Sequence, residues 1–345
     1  MDIGLAFFSG DGDKPRPLDL FVQAAIWADK RGLSALWTPE RHFHPFGGAF
    51  PDPAVASAAV AGRTSQISLR SGSVVSPIHD IVEIVERWAM VDQLSNGRIG
   101  LTFAPGWRAQ DFALNPTAFA DRYSIMFAQI AEAQRLWAGE PVVRVDGSGA
   151  ERQIRIFPRP VQTELPIWIA CSSVANMEAA GRIGAGVLTH LVNQSEAQLA
   201  AGIRSYRASL PAGRAGHVAL MVHTFVDESQ DRARSIAREP LRRYLEQFSQ
   251  LSKFSKSKPL GNQSGNQQML LDIAAERYLR DKGLIGSPQT CADFLERLAA
   301  IGIEEVACLI DFGIDETEVL NGLSHIGRLA ADGQLRNKKE KILER

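Results

Sequence analysis

One feature constrains the fold more than any other: short apolar runs and longer amphipathic stretches take turns along almost all of the 345 residues. Residues 3–8 read as a buried strand. Residues 18–31 read as a helix, because Leu20, Phe21, Ala24, Ala25 and Ala28 recur at helical spacing and Gly32 ends the run. Strands follow at 35–38, 69–75 and 99–104, with helices at 52–64, 81–94 and 119–138. The pattern resumes with strands at 166–170, 186–191 and 218–226 and helices at 174–183 and 196–209. Further helix follows 226, and a last helix at 289–300 leads into a strand at 305–310. Strict alternation requires parallel strands. Eight such units predict an α/β fold of the (β/α)8 TIM-barrel kind in preference to an open doubly wound sheet.

Two stretches interrupt the alternation. Residues 142–158 alternate apolar and polar around Asp146-Gly147-Ser148-Gly149, which predicts a β-hairpin insertion. Residues 249–268 are rich in Ser, Lys, Gly, Asn and Gln, which predicts an extended segment after strand seven, on the rim of the barrel. The expected organisation is one barrel domain over 1–330 and a charged helical tail over 331–345.

Composition removes several function classes. A hydrophobic content of 45% with net charge -1 excludes general disorder. With 38 basic residues against 39 acidic, there is no excess to release counterions, so no nucleic-acid partner is expected. Cys171, Cys291 and Cys308 are too few and too far apart for a disulfide scaffold or a structural zinc site. No apolar run is long enough to span a membrane, and the start Met1-Asp2-Ile3-Gly4 lacks a signal-peptide pattern. A soluble cytoplasmic protein is expected.

In a barrel, chemistry gathers at the C-terminal ends of the strands. Strand two runs into Trp37-Thr38-Pro39-Glu40-Arg41-His42-Phe43-His44-Pro45-Phe46-Gly47-Gly48. That loop holds a carboxylate, a guanidinium and two imidazoles suited to acid–base work. On an extended segment His42 and His44 would face one way, and His79, His190 or Glu40 could add a third metal ligand. No zinc-type spacing is present, and no metal is expected. Strand four leads into Ala104-Pro105-Gly106-Trp107-Arg108 and then Asp111, strand six ends at His190, and His223 in strand seven reads equally well as a core residue. Strand five ends in Cys171-Ser172-Ser173, and a helix follows through Asn176. Hydroxyls at a helix N-terminus suit a phosphate, with ordinary N-capping as the alternative. Cys171 reads better as a small buried residue than as a nucleophile. Phosphate-loop, dinucleotide and nucleophile-elbow patterns are missing from the sequence.

The segments Trp37 to Gly48, Arg70-Ser71-Gly72-Ser73-Val74-Val75-Ser76-Pro77-Ile78-His79-Asp80 and Trp88-Ala89-Met90-Val91-Asp92-Gln93-Leu94-Ser95-Asn96-Gly97-Arg98-Ile99-Gly100 resemble the bacterial luciferase-like flavin-dependent monooxygenases. The branch resembled is the one found with polyketide and nonribosomal peptide assembly lines. The likeness continues through Gly186 to Leu191, Arg238-Glu239-Pro240 and Ala307 to Gly313, and covers about residues 1 to 330. It implies a (β/α)8 barrel that uses reduced FMN, supplied by a separate flavin reductase, and O2 as co-substrate. It implies reaction through a C4a-(hydro)peroxide, with hydroxylation of, or oxygen insertion into, a natural-product intermediate. An acyl or peptidyl carrier protein holding that intermediate and a homodimeric assembly belong to the same expectation.

Carried over by position, Glu40 and His42 match the acidic residue and a histidine of the family's second-strand loop. Ser172, Ser173 and Asn176 fall where the family holds the FMN phosphate, although Ala170-Cys171-Ser172-Ser173 departs from the branch's usual segment. Ser73, Ala104, Trp107 and His190 are expected around the flavin. Arg41 replaces the first of the two adjacent histidines of luciferases proper, which speaks against light emission. His42 or His44 is expected to hold or donate a proton, with Glu40 fixing its tautomer and Arg41 stabilising a peroxide anion. Phe8, Trp37, Phe43, Phe46 and Trp107 are expected to dry the pocket. A deazaflavin-dependent hydride-transfer enzyme and a non-catalytic flavin-binding protein are the alternatives.

Overall fold

A computed structural model describes residues 1–8, 13, 15–192, 194–254 and 264–343, with side chains at all of these except 252–254, 264–268 and 334–343. The elements in chain order are β1 (Asp2–Ala6), α1 (Asp19–Lys30), β2 (Ala35–Thr38), α2 (Pro53–Ala61), β3 (Ser68–Ser71), β4 (Val74–Val75), α3 (Ile81–Ser95) and β5 (Ile99–Ala104). Then come α4 (Arg122–Ala138), β6 (Val142–Val145), β7 (Glu151–Ile154), β8 (Ile167–Ala170), α5 (Val174–Arg182), β9 (Gly186–His190) and α6 (Glu196–Ala208). The chain ends with β10 (Val218–Val226), α7 (Gln230–Phe254), α8 (Ser264–Asp281), β11 (Leu284–Gly286), α9 (Pro288–Ala300), β12 (Glu305–Leu309) and α10 (Glu316–Leu343).

Eight strands close a parallel barrel in the order β1, β2, β3, β5, β8, β9, β10, β12 and back to β1. The expected TIM barrel is therefore present, and β6 and β7 pair antiparallel as the expected hairpin. Two expectations need correction. The third strand is not continuous over 69–75: it breaks at Gly72 and Ser73, and β4 continues alone along β5. The stretch after the seventh barrel strand is helical where it is described. Leu241, Tyr244, Leu245 and Leu251 give α7 a buried face that carries the helix to Phe254, and α8 begins at Ser264. Residues 255–263 of the expected extended segment lie outside the described residues. No helix among the described residues is long and apolar enough to cross a membrane.

The lower interior of the barrel holds an ion pair. Arg70 Nη1 donates to Glu305 Oε2 at 2.5 Å, and Glu305 Oε1 also accepts from Trp37 Nε1 at 3.0 Å and Ser34 Oγ at 2.9 Å. The guanidinium lies 4.9 Å from the Trp37 ring and 4.5 Å from the Trp168 ring. Trp168 rests on Gly186, where a Cβ would come within 2.4 Å of the indole. Trp37, Arg70, Trp168 and Glu305 thus mark the inward face of their strands. Register and alternation then place Thr102, Ala104, Ala170, His190, Met221 and His223 inward nearer the C-terminal end.

Part of the signature around Asn96 closes the opposite end. Asn96 adopts the left-handed conformation at φ 55 and caps α3. The Arg98 guanidinium then donates to the carbonyls of Ser95, Ala61, Thr64 and Ile67.

Breaking one partner of a buried pair leaves an uncompensated charge. Arg70→Met or Glu305→Leu alone is expected to cost about 3–5 kcal/mol. The double variant is expected to lose less than the sum, which urea unfolding of all four proteins in the cycle would measure.

Candidate active site at the barrel mouth

Glu40 leaves β2 at the C-terminal end of the barrel with its side chain 1% exposed. Its carboxylate is a hub. Oε1 is hydrogen-bonded to His42 Nε2 at 2.9 Å and to His79 Nε2, and Oε2 accepts from Val75 N–H at 2.6 Å. Burial opposes ionisation, yet the bonds from His42, His79 and Val75 outweigh it and hold the Glu40 carboxyl below its ordinary value. An ionised Glu40 only accepts, so both imidazoles present Nε2–H to it and keep Nδ1 available. Ligand atoms of Glu40, His42 and His79 lie within 4.8 Å of one another, close enough for an ion. Both Nε2 atoms converge on one carboxylate oxygen, however, which is the arrangement of hydrogen bonds.

Arg41 points away from that hub. It is 3% exposed, and its guanidinium lies among Phe8, Phe46 and Trp107, at 4.8, 5.5 and 5.5 Å from the ring centroids. Burial and the neighbouring Arg108 charge lower its pKa to about 10. Arg108 pins the loop by donating to His42 O and to Asp111 Oδ1, both at 3.2 Å.

His44 takes a third direction. Phe43 has φ 55, so the loop is not extended and the expectation that His42 and His44 face one way fails. His44 Nδ1 accepts from Phe46 N–H at 3.1 Å, and burial with the charges of Arg108 and Arg41 lowers its pKa. It edges a cavity of about 490 Å³ floored by Phe7, Phe21, Phe50 and Phe312. Tyr244 and Phe46 separate this cavity from the mouth. The expected drying role also changes for three residues. Phe43 is 53% exposed, Trp107 is 37% exposed at the rim, and Trp37 belongs to the barrel floor.

The mouth is covered by aromatic residues of α7. Tyr244 packs 4.2 Å edge-on to His223 and 5.1 Å from Phe46, and Phe248 lies 5.7 Å from Trp107. Nothing in the sequence around 244 marks it as a mouth residue; only tertiary packing does. His79, considered from sequence only as a third metal ligand, is the partner of Glu40. Its position at the end of the third strand, beside the second in a barrel, was the available signal.

His223 Nδ1 is bonded to Tyr278 Oη at 3.0 Å, while Nε2 is buried without a partner. His190 Nδ1 accepts from Val192 N–H at 3.3 Å. Ser173 caps α5, its Oγ accepting from Asn176 N–H at 3.3 Å, and Ser172 and Ser173 are exposed at the rim. Ser73 sits in the break between β3 and β4, and Ala104 ends β5 beside Val75. Burial pushes the Cys171 thiol up to about 12, in keeping with an inert side chain.

A (β/α)8 barrel with a buried carboxylate–imidazole hub and a cluster of aromatic residues at the strand ends is the framework of a barrel enzyme. The chain belongs to the luciferase-like monooxygenase family, whose model matches residues 3–305. It is 25% identical to the flavin-dependent trigonelline monooxygenase, oxygenase component, of Acinetobacter baylyi over 319 residues, 86% of this chain and 84% of that protein. The fold is similar to monooxygenase RslO1 from Streptomyces bottropensis, with TM-score 0.76 and 20% identity over 97% of this chain and 100% of that one. It is also similar to the oxygenating constituent of 3,6-diketocamphane monooxygenase from Pseudomonas putida in complex with FMN. That likeness has TM-score 0.77 and 18% identity over 96% of this chain and 98% of that one.

Burial lowers His190 to about 4 and His223 to about 3 from the ordinary 6.5. Both stay neutral in the folded protein at neutral pH and gain a proton on unfolding once pH drops below 6.5. The unfolded chain then binds more protons, so stability falls with falling pH until the folded values are passed. His223→Gln, which can keep the bond to Tyr278, is expected to reduce that slope by about 1.4 kcal/mol per pH unit. Urea midpoints across the window between 6.5 and about 4 would measure it.

Proposed function

We propose that this protein is the oxygenating component of a two-component system. It would take reduced FMN from a separate flavin reductase and use O2 to add oxygen to a natural-product intermediate, free or held on an acyl or peptidyl carrier protein. The observation that carries this reading is the buried Glu40–His42–His79 hub at the C-terminal end of β2, beside a mouth lined by Arg41, Phe46, Trp107 and Tyr244. The relatives support it: one is named an oxygenase component, and another is an oxygenating constituent in complex with FMN.

The residues at the mouth fit a flavin. An isoalloxazine ring has flat apolar faces and a polar edge. The inward positions Ala104 and Ala170 are small, and Thr102 Oγ1 and His223 Nε2 are buried polar atoms lacking partners among the described residues. Bound reduced flavin supplies the activation of O2. Ser172, Ser173 and the first turn of α5 would hold its phosphate, since Ser173 leaves the N–H groups of Val174 and Ala175 for an anion. Asn176, whose N–H the cap occupies, would contribute its side chain. Ser73, Ala104 and His190 would flank the ring, and Phe8 and Phe46 would keep water out.

Proton handling falls to the hub. Glu40 fixes His42 with Nε2–H toward the carboxylate, so His42 takes or gives a proton at Nδ1. His44 lies on the cavity side of the loop, beyond Phe46, so the proton role falls to His42 rather than to His44.

Two measurements test the reading. Anaerobic enzyme with reduced FMN is mixed with O2 and followed by absorbance. A long-lived species distinct from reduced and oxidised flavin is expected, and His42→Ala should cut coupled product formation by roughly 10²-fold. Reoxidation as fast with the protein as without it would sink the proposal. For the phosphate, Ser173→Asp keeps an N-cap but adds a like charge. It should weaken FMN binding by about tenfold while leaving riboflavin binding unchanged, as equilibrium titration would show.

A further inference from the structure

Arg41 is a buried cation with no ion pair among the described residues. Its side chain is buried, and Nη1 has no hydrogen-bond partner. The Asp111 charge favours it, but that carboxylate is bonded by Arg108 at 3.2 Å, and Arg108 is a second cation working against Arg41. The three aromatic faces around the guanidinium attract it but accept no hydrogen bond in its plane. Burying a guanidinium this way costs more than the rings return unless an anion arrives.

The group is also held in place. Gly47 has φ 84, and a Cβ there would lie 2.5 Å from Arg41 Cδ, so the loop wraps directly against the side chain. Phe8 and Phe46 fix its faces. A guanidinium held at its faces with Nη1 unpartnered suits an anion such as a carboxylate.

We propose that Arg41 anchors a carboxylate of the organic substrate at the mouth, among Phe8, Phe46 and Trp107. The substrate class is therefore a free organic acid. An acid masked as a carrier thioester has no such anion, so the free acid is favoured over a carrier-bound form. The inference rests on the mouth being the oxygenation site, because that is what makes the bound anion a substrate. The same anionic chemistry has a second source, the ring of a deprotonated reduced flavin.

The test has two arms. In the first, flavin-free protein is titrated calorimetrically with benzoate and with benzamide, which share a body and differ in charge. Wild type is expected to prefer benzoate by roughly tenfold or more. Arg41→Met should abolish the preference without changing benzamide binding, and Arg41→Lys should restore part of it. In the second arm, affinities for oxidised and reduced FMN are compared, and their ratio should be the same in wild type and Arg41→Met. Equal binding of acid and amide by wild type, or binding of neither, overturns the proposal without relying on any variant. Persistence of the acid preference in Arg41→Met also overturns it. Loss of reduced-FMN affinity alone in Arg41→Met assigns the anion to the flavin and overturns it too. Failure of wild type to bind FMN would count against the oxygenation reading while leaving the acid preference to be judged separately.

Discussion

The ion pair between Arg70 and Glu305 is the constraint on which the rest of the barrel depends. It ties β3 to β12 across the interior and is enclosed by Trp37 of β2 and Trp168 of β8. Such a pair is tolerated only when every hydrogen bond around it is made, and Trp37 Nε1 and Ser34 Oγ make them. That requirement fixes which residues face inward. Because side chains alternate along a strand, a one-residue slip would reverse every inward position above the floor. Thr102, His190 and His223 face the mouth because Trp168 and Glu305 face the floor.

Above that floor, adjacent residues handle buried charge in opposite ways. Glu40 accepts from three donors and is complete within the chain. Arg41 is surrounded by rings and left unpaired at Nη1. A complete network positions an imidazole, since the carboxylate dictates the tautomer of His42. An incomplete one leaves a buried donor without an acceptor.

Periodicity made the barrel legible, because each strand has an inward and an outward face and each helix a single apolar stripe. Breaks in regularity were not legible in the same way. Residues 69–75 read as one strand by their place in the alternation, yet the backbone departs at Gly72 and Ser73. The loop after β2 offered the right chemical groups, but Phe43 at φ 55 turns His42 and His44 apart, and spacing carries no information about such a turn. His79 lies 39 residues from Glu40 and meets it only because neighbouring strands end side by side. Tyr244 and Phe248 come from a helix whose sequence reads as merely amphipathic, so their place over the mouth depends wholly on how α7 packs. The signature around Asn96 and Arg98 serves structure rather than chemistry, since Arg98 secures backbone carbonyls at the far end of the barrel.

The aromatic cover has two effects that cannot be separated. It buries the inward groups beneath it, and the lower dielectric of a buried site strengthens the charges that remain there. The same burial keeps His190 and His223 neutral through the neutral pH range, with pKa values of about 4 and about 3. Arg41, at about 10, keeps its proton under the same pressure because a guanidinium starts so much higher. The positive potential at the mouth is therefore set by Arg41 and Arg108 and not by the histidines. Its sign is independent of His190 and His223 across the neutral pH range.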